Sequence, residues 1–312
     1  MVWELFCCSG RTKPSVKVPL VFGMEEPSPP SPIQNALLRP MDQLPLHYAI
    51  DWSLHGVLGQ GHFAKVFFGQ HLATQRKVAA KRILRSKCRT STLRTEIAAL
   101  TRLSHPNIMK LYDAYYDDVF CVLMLEYLAG GELFQRIVKY GAYREVDAAK
   151  HFWELCQACS YMHSHGVVHR DLKPENLILS EAKRNSPIKI SDFGLAKIVD
   201  ESSVSSMTTV CGTKAYCAPE VNFGREIARQ GLKYSAKVDV WSMGVILYVL
   251  LGGYHPFDPY GKSRDDVLWQ RVSTGEFEFN DEIWKTVSPQ AKNLLREMIQ
   301  VDVDQRLTMD QQ

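Results

Sequence analysis

Acidic, cationic and amide side chains stand close together in the stretch His169–Asn176, whose sequence is HRDLKPEN. A second acidic residue, Asp192, follows in the stretch SDFG. These residue types suit phosphoryl transfer, in which Asp171 would accept the proton of an incoming hydroxyl and Lys173 would offset charge on the moving phosphoryl group. Asn176 and Asp192 carry the hard oxygen atoms that magnesium prefers. The spacing therefore indicates a centre for phosphoryl transfer.

Short apolar runs flank both stretches and predict the strands that must hold them. The runs are Gly166–Val168, Leu177–Leu179 and Ile188–Ile190. They are rich in β-branched and leucine side chains, which is typical of short buried strands. We expect these strands to fix the loops that carry the acidic residues.

Both stretches together resemble the catalytic loop and the metal-binding loop of the eukaryotic serine/threonine protein kinases. The resemblance extends from Trp52 to the C-terminus, and the sequences TVCGT at residues 209–213 and GYHPF at 253–257 are similar to the calcium/calmodulin-dependent and checkpoint kinase group. It implies an α+β, two-lobed fold, with a small antiparallel β-sheet and one helix in the N-lobe and a larger, mainly helical C-lobe. It also implies ATP and Mg²⁺ as cofactors.

A glycine-containing stretch lies near the start of this region, where residues 54–69 predict a strand, a turn and a second strand. Gly59, Gly61 and Ala64 form a GxGxxA pattern, whose glycines let backbone amides approach phosphate groups. On its own this pattern fits a plain β-hairpin equally well, but the kinase resemblance assigns it to ATP. The expected contacts are Leu58, Gly59, Gln60, Gly61, His62, Phe63, Ala64 and Val66.

A lysine on the next predicted strand extends the phosphate site. The strand period of two places Ala79 and Lys81 on one face of Val78–Lys81. A lone lysine at the end of a strand is usually solvated. The resemblance instead implies that Ala79 packs on adenine and that Lys81 holds the α- and β-phosphates.

Residues 90–103 predict a helix that carries one acidic residue, Glu96. Its apolar face consists of Leu93, Ile97 and Leu100. An isolated glutamate on a helix is usually a surface residue. The resemblance implies that Glu96 pairs with Lys81 and orients it, so we expect both residues to act in catalysis.

The connection between the lobes is expected at residues 126–131. The resemblance implies that the Glu126 carbonyl and the Leu128 amide hydrogen-bond adenine. Further nucleotide contacts are expected from Glu132, Glu175 and Ile178. Glu132 and Glu175 also match acidic residues that hold an arginine three positions before the target in basophilic relatives. We therefore expect protein substrates whose serine or threonine follows basic residues.

The C-lobe should be organised by two long helices, at residues 145–164 and 238–252. Asp239, at the start of the second, resembles the buried aspartate that braces the catalytic loop in kinases. Cys156 and Cys159 lie inside the first helix, and no further ligands stand at a spacing that would complete a zinc site. We expect these cysteines to be small buried residues.

The segment Asp192–Glu220 corresponds to the activation segment of kinases. Arg170 is a cation that a phosphate on this segment would recruit, and Lys189 or Lys197 would be the second cation. The favoured phosphate acceptors are Thr208 and Thr209. An upstream activating kinase is then implied, and the alternative is a serine- and threonine-rich loop without a regulatory role. Arg306 is expected to pair with Glu220.

Composition excludes several other classes of protein. The chain has 312 residues, of which 46% are hydrophobic and 23% are charged, so it can bury a sizeable core. A formal charge of +3 is too small to indicate a nucleic acid partner. No apolar run is long enough for a transmembrane helix, and the eight cysteines show no secreted disulfide pattern. The cytoplasm or the nucleus suits this chain.

Residues 1–50 predict a disordered or extended tail because prolines are frequent there. Cys7 and Cys8 fit either a palmitoylation site or incidental cysteines in such a tail, and Val2 excludes N-myristoylation. The kinase domain is then 51–312, with its N-lobe at 51–125 and its C-lobe at 132–312. We expect any last helix and any autoinhibitory tail at the C-terminus to be missing or short.

The sequence thus predicts transfer of the ATP γ-phosphoryl group to serine or threonine hydroxyls in proteins. One rival is a pseudokinase scaffold, which the intact Lys81, Asp171, Asn176 and Asp192 disfavour. Another is a kinase for small molecules, which would lack the segment Gly212–Glu220 that docks protein substrates.

Overall fold

The computed structural model describes residues 38–61, 64–183, 186–198, 215–222 and 236–309. Several residues singled out above lie outside these ranges, namely Cys7, Cys8, His62, Phe63, Thr208, Thr209, Gly212 and Thr213. In the described part of the chain, every helix is too short or too polar to span a lipid bilayer.

A seven-stranded sheet forms the N-lobe. Its strands are β1 (Leu38–Pro40), β2 (Tyr48–Ile50), β3 (Val57–Gln60), β4 (Ala64–His71), β5 (Lys77–Leu84), β6 (Leu111–Tyr116) and β7 (Phe120–Glu126). Their order is β1-β6-β7-β5-β4-β2, and β3 also pairs with β4. The pairs are antiparallel, as expected, except that β1 runs parallel to β6.

Two helices accompany this sheet, where the sequence predicted one. The additional helix, α1 (Leu44–His47), is a single turn, and α2 (Thr90–Arg102) is the expected helix, one residue shorter than predicted. Ile97 and Leu100 of α2 are buried in the cluster that includes Ala79. The apolar spacing of α2 therefore turns the face that carries Glu96 towards the strand that carries the lysine.

Residues 38–50 belong to the N-lobe, although the sequence analysis placed them in the tail. They form β1, α1 and β2, and the side chains of Leu44 and Tyr48 are buried. The proline-rich composition favoured a tail, but the segment gains sheet hydrogen bonds at both edges and buries two large apolar side chains. The N-lobe sheet therefore includes strands from residue 38 onwards, ahead of the predicted start of the kinase domain at residue 51.

In the described part of the C-lobe, six helices form most of the structure. They are α3 (Leu133–Tyr140), α4 (Glu145–Ser164), α5 (Pro219–Asn222), α6 (Lys237–Gly252), α7 (Asp265–Thr274) and α8 (Pro289–Met298). Every residue of α6 from Val238 to Gly252 is buried. A helix that is apolar on all sides must lie in the interior of a domain, so α6 is the axis around which the lobe packs.

Two small two-stranded sheets hold the polar loops. β8 (Val167–Val168) pairs antiparallel with β11 (Lys197–Ile198), and β9 (Leu177–Leu179) pairs antiparallel with β10 (Ile188–Ile190). The three apolar runs predicted as strands are therefore β8, β9 and β10. They place the stretch His169–Asn176 beside the stretch Ser191–Gly194.

Candidate active site

Lys81 joins three elements of the site through its ammonium group. Its Nζ lies 2.6 Å from Oε1 of Glu96 on α2 and 3.1 Å from Oδ1 of Asp192. Burial alone would lower the pKa of Lys81, but the two carboxylates outweigh it and the pKa is raised. Lys81 is therefore a fixed and largely buried cation, in the contact with Glu96 that the sequence predicted.

Asp171 is held by its neighbours in the catalytic loop. Lys173 Nζ lies 2.9 Å from Oδ2 of Asp171. The Asn176 amide donates to the Asp171 carbonyl at 2.8 Å and to Oδ2 at 3.2 Å. The carboxylate, cation and amide singled out in the sequence are thus gathered into one hydrogen-bonded group.

His169 connects this loop to the strand before Asp192. Its Nε2 lies 3.0 Å from the Ser191 carbonyl, which can only accept, so Nε2 carries the proton. Its Nδ1 accepts from the Asp171 amide at 3.3 Å. Phe193 packs edge-on against the buried imidazole, with ring centroids 4.9 Å apart. The two polar stretches therefore share one buried support.

Asp239 braces the catalytic loop from inside the C-lobe, as expected. Its carboxylate accepts from the backbone amides of His169 and Arg170, at 2.9 and 2.8 Å, and lies 2.9 Å from Nε2 of His163. Burial would raise the pKa of Asp239, but these hydrogen bonds keep it below its usual value. They also hold Arg170 at a φ of +66°, which is unusual for a residue with a Cβ.

Asp192 and Asn176 offer oxygen atoms suited to a divalent metal ion. Asp192 has a left-handed backbone and a half-exposed side chain, and the Lys81 ammonium lowers the pKa of its carboxyl group. The nitrogen of the Asn176 amide is engaged with Asp171, so its oxygen is the atom available for a metal. No group of three or more His, Cys, Asp or Glu side chains in the described ranges could hold a metal alone. Phosphate oxygens and water would complete the coordination.

Several residues predicted to bind the nucleotide lie on paired strands of the N-lobe sheet. Ala79 is opposite Leu125 on β7, and Val66 is opposite Lys81 on β5. An added Cβ at Gly59 would meet no atom within 4 Å, so open space lies beside this turn. Leu58 precedes the turn and is partly exposed. The space beside Gly59 is therefore available to a ligand.

The connection between the lobes passes close to β9. The Gly130 amide donates to the Leu179 carbonyl at 2.9 Å. An added Cβ at Gly130 would collide with Leu179 and with the Glu181 carbonyl. Only a glycine fits at position 130, because the backbone of β9 lies too close for any side chain. Ile178, on the same strand, forms a β-bridge with Glu132.

Lys189, one of the two lysines predicted as a second cation beside Arg170, forms an ion pair at the hinge. Its Nζ lies 3.0 Å from Oε2 of Glu126, which also accepts from the Lys110 amide at 3.3 Å. Arg170 Nε donates to the Leu195 carbonyl at 2.8 Å. Burial and the positive charge of Arg170 together lower the pKa of Lys197, so Lys197 is the cation near Arg170.

The other expected contacts in the C-lobe are also made. Arg306 and Glu220 form a bidentate buried ion pair, with distances of 2.6 and 3.0 Å. Cys156 and Cys159 are buried inside α4. Oε2 of Glu175 is buried without a hydrogen-bond partner among the described residues.

Two supporting residues were not found from the sequence. They are His163, which contacts Asp239, and Asn107, whose amide donates to the Ile188 carbonyl at 2.8 Å. Each contact joins residues more than 70 positions apart in the sequence, and no spacing indicates it.

Comparison with known proteins agrees with this geometry. Residues 52–312 match the family described as protein kinase domain. The chain is 42% identical over 251 residues to calcium/calmodulin-dependent protein kinase type IV of Homo sapiens, covering 80% of this chain and 50% of that protein. It is 42% identical over 261 residues to calcium/calmodulin-dependent protein kinase type 1 of Macrobrachium nipponense, covering 83% of this chain and 72% of that protein. The chain spans about half the length of the type IV relatives. It belongs to the protein kinase family and is similar to its calcium/calmodulin-dependent members.

Proposed function

We propose that the protein is a serine/threonine protein kinase, which transfers the γ-phosphoryl group of ATP to hydroxyl groups of proteins. The observation that carries this proposal is the contact of Lys81 with both Glu96 and Asp192, next to an Asp171 held by Lys173 and Asn176. A pseudokinase scaffold would not need to maintain all of these contacts. The similarity to named kinases supports the same conclusion.

Each polar residue has a role in this mechanism. Lys81, oriented by Glu96, binds the α- and β-phosphates of ATP. Asp171 orients the substrate hydroxyl and accepts its proton, and Lys173 stabilises charge on the moving phosphoryl group. Asn176 and Asp192 would hold Mg²⁺, which neutralises phosphate charge when it is bound.

Adenine and ribose would bind where the two lobes meet. We assign adenine to the backbone of Glu126 and Leu128 and to the Ala79 side chain. Glu132 would contact the ribose. Other parts of this nucleotide surface are Leu58, Gly59, Gln60, Gly61, His62, Phe63, Ala64, Val66, Glu175 and Ile178.

Substrates with an arginine three residues before the target suit the charge of this site. Glu175 contributes a buried carboxylate oxygen with no hydrogen-bond partner among the described residues. Glu132 forms a β-bridge with Ile178, which follows Glu175 on the same stretch of chain. A buried carboxylate without a partner is costly. A substrate guanidinium would remove that cost, so a basic peptide should be preferred.

Phosphorylation of the activation segment is the proposed means of control. Burial and the positive charge of Arg170 lower the pKa of Lys197, so these two cations repel one another. A phosphate on Thr208 or Thr209, added by an upstream kinase, would be an anion that both can bind. Cys88, Cys121, Cys156 and Cys159 form no disulfide, which suits the cytoplasm or the nucleus. Lipid attachment at Cys7 or Cys8 remains a proposal from the sequence.

One incubation tests the proposed function against its rivals. The full chain is mixed with γ-labelled ATP and Mg²⁺ and offered a basic serine peptide, the same peptide with alanine for serine, or small-molecule hydroxyl acceptors. Label on the serine peptide alone is the expected result. Label only on small molecules would point to another kinase class, and nucleotide binding without transfer would point to a pseudokinase.

A further inference from the structure

The segment Leu38–Ile50 crosses the N-lobe sheet from one edge to the other. At one edge β1 pairs with β6, and at the other β2 pairs with β4. This segment lies before residues 52–312, which match the protein kinase domain. It is therefore an addition to the part of the chain that the family defines.

The segment packs against the reverse side of the strand that carries Lys81. Its cluster of buried apolar residues comprises Leu44, Tyr48, Phe67, Val78, Ala80, Tyr115, Val122 and Met124. Because side chains alternate along a strand, Val78 and Ala80 face this cluster while Ala79 and Lys81 face the nucleotide side. Ala80, which packs in this cluster, is therefore the residue directly before the proposed phosphate-binding lysine, Lys81.

A partly buried polar network fixes the position of the segment on the sheet. The Tyr48 hydroxyl donates to Oδ2 of Asp113 at 2.5 Å, and Arg39 lies 3.2 Å from Oδ1 of the same carboxylate. The Tyr115 hydroxyl lies 3.2 Å from Nδ1 of His47. Such directional contacts specify one register, whereas apolar packing alone would tolerate sliding.

We propose that Leu38–Ile50 is a positioning element for the nucleotide site, with Leu44 and Tyr48 as its positioning residues. The proposal rests on the proposed kinase function. β2 holds the end of β4, where Tyr48 is opposite His71, and β4 in turn places Val66 opposite Lys81. Loosening the segment would let β4 and β5 shift, which would misplace the glycine turn and Lys81 together.

The test compares three variants of the full chain. Leu44→Ala removes buried apolar contacts, and Tyr48→Phe removes only the hydroxyl that reaches Asp113. Leu46→Ala is the control, because Leu46 lies on the same helix α1 but its side chain is 72% exposed. For each variant, KM for ATP, kcat and the Kd of a fluorescent ATP analogue are measured well below the unfolding temperature.

We expect Leu44→Ala and Tyr48→Phe to raise KM for ATP and the analogue Kd by about three- to tenfold, with a smaller effect on kcat. Leu46→Ala should leave both values unchanged. Tyr48→Phe combined with Asp113→Ala should raise the Kd no more than Asp113→Ala alone, because Asp113→Ala already removes the acceptor of the Tyr48 hydroxyl. If Leu44→Ala does not fold, Tyr48→Phe still tests the proposal.

Two outcomes separate this proposal from the function on which it rests. A lower unfolding temperature with unchanged KM and Kd would show that the segment only stabilises the fold, and would overturn the proposal. A wild-type protein that binds the analogue but transfers no phosphate would overturn the proposed kinase activity. In that case the variant Kd values would still support or overturn the positioning role.

Discussion

The Lys81 ammonium and the Glu96 carboxylate lie 2.6 Å apart and join the N-lobe sheet to helix α2. Both side chains are largely shielded from water, and Asp192 contacts the same ammonium from the C-lobe. The orientation of α2 and the position of the SDFG stretch are therefore linked through one cation. Movement of either would change the contacts of Lys81.

This link predicts non-additive losses of activity. Lys81→Met and Glu96→Gln should each reduce kcat/KM strongly, because each disables the same unit. The double variant should be little worse than Lys81→Met alone. Lys77→Met, on the exposed start of β5, is the control and should be near wild type. Losses that simply multiply in the double variant would show that the two residues act independently.

Asp239 should influence catalysis without contacting nucleotide. Asp239→Asn weakens the acceptor that holds the His169 and Arg170 amides. We expect kcat to fall by about tenfold or more, since removing charge-assisted hydrogen bonds costs about 1.5–3 kcal/mol each. The ATP Kd should stay within about twofold. Steady-state kinetics measures kcat, and nucleotide titration measures the Kd of ATP. The variant Glu276→Gln, which changes an exposed residue, is the control. A loss of ATP affinity with unchanged kcat would contradict this role.

Breaking the buried ion pair of Arg306 and Glu220 should destabilise the fold more than replacing both of its residues. Glu220→Ala leaves a buried guanidinium unpaired and should cost about 3–5 kcal/mol of unfolding free energy. Replacing both residues with apolar ones of similar size, Glu220→Leu with Arg306→Met, should cost clearly less. Urea denaturation measures the difference. Equal losses in the single and double variants would argue against an unpaired charge as the cause.

His255 should make the C-lobe sensitive to acid. Burial lowers the pKa of His255 to about 4, although its Nε2 donates to the Ala215 carbonyl at 3.0 Å and Asp258 lies nearby. Between this value and about 6.5, the unfolded chain binds a proton that the folded chain does not. The free energy of unfolding should therefore fall as the pH falls through this window, by roughly 3 kcal/mol from this residue.

The variant His255→Gln isolates that contribution, because glutamine can still donate to Ala215 but does not titrate. Urea midpoints measured from about pH 7 to about pH 4.5 should depend less on pH in this variant than in the wild type. His55→Gln, which changes an exposed histidine, should keep the wild-type dependence. Identical slopes for all three proteins would show that the pKa of His255 is the same in the folded and unfolded chains.

The sequence was most informative where chemistry is local. Asp171, Lys173 and Asn176 lie within one short loop, and helical spacing was enough to place Glu96 on α2. By contrast, the Asp239 contact with His163 joins residues 76 positions apart and depends on how α4 packs against α6. Residue types and spacing carry no signal for such a contact.

Tertiary packing also overrode composition at two places. Residues 38–50 looked like a tail because of their prolines, yet burial of Leu44 and Tyr48 makes them part of the sheet. Lys189 looked available for a phosphate, but the hinge brings Glu126 within 3.0 Å of it. Both depend on surfaces that exist only once the lobes have folded.

The most direct test of the account is phosphotransfer by Asp171→Asn. Asn at this position cannot accept a proton but should preserve the contact with Lys173, so nucleotide affinity should remain near wild type. Transfer of label from γ-labelled ATP to a basic serine peptide is measured beside binding of a fluorescent ATP analogue, with the exposed Asp118→Asn as control. The account predicts that Asp171→Asn loses about 99% or more of the transfer rate and keeps its affinity for the analogue. Transfer within about fivefold of wild type would contradict the assignment of Asp171 as the catalytic base.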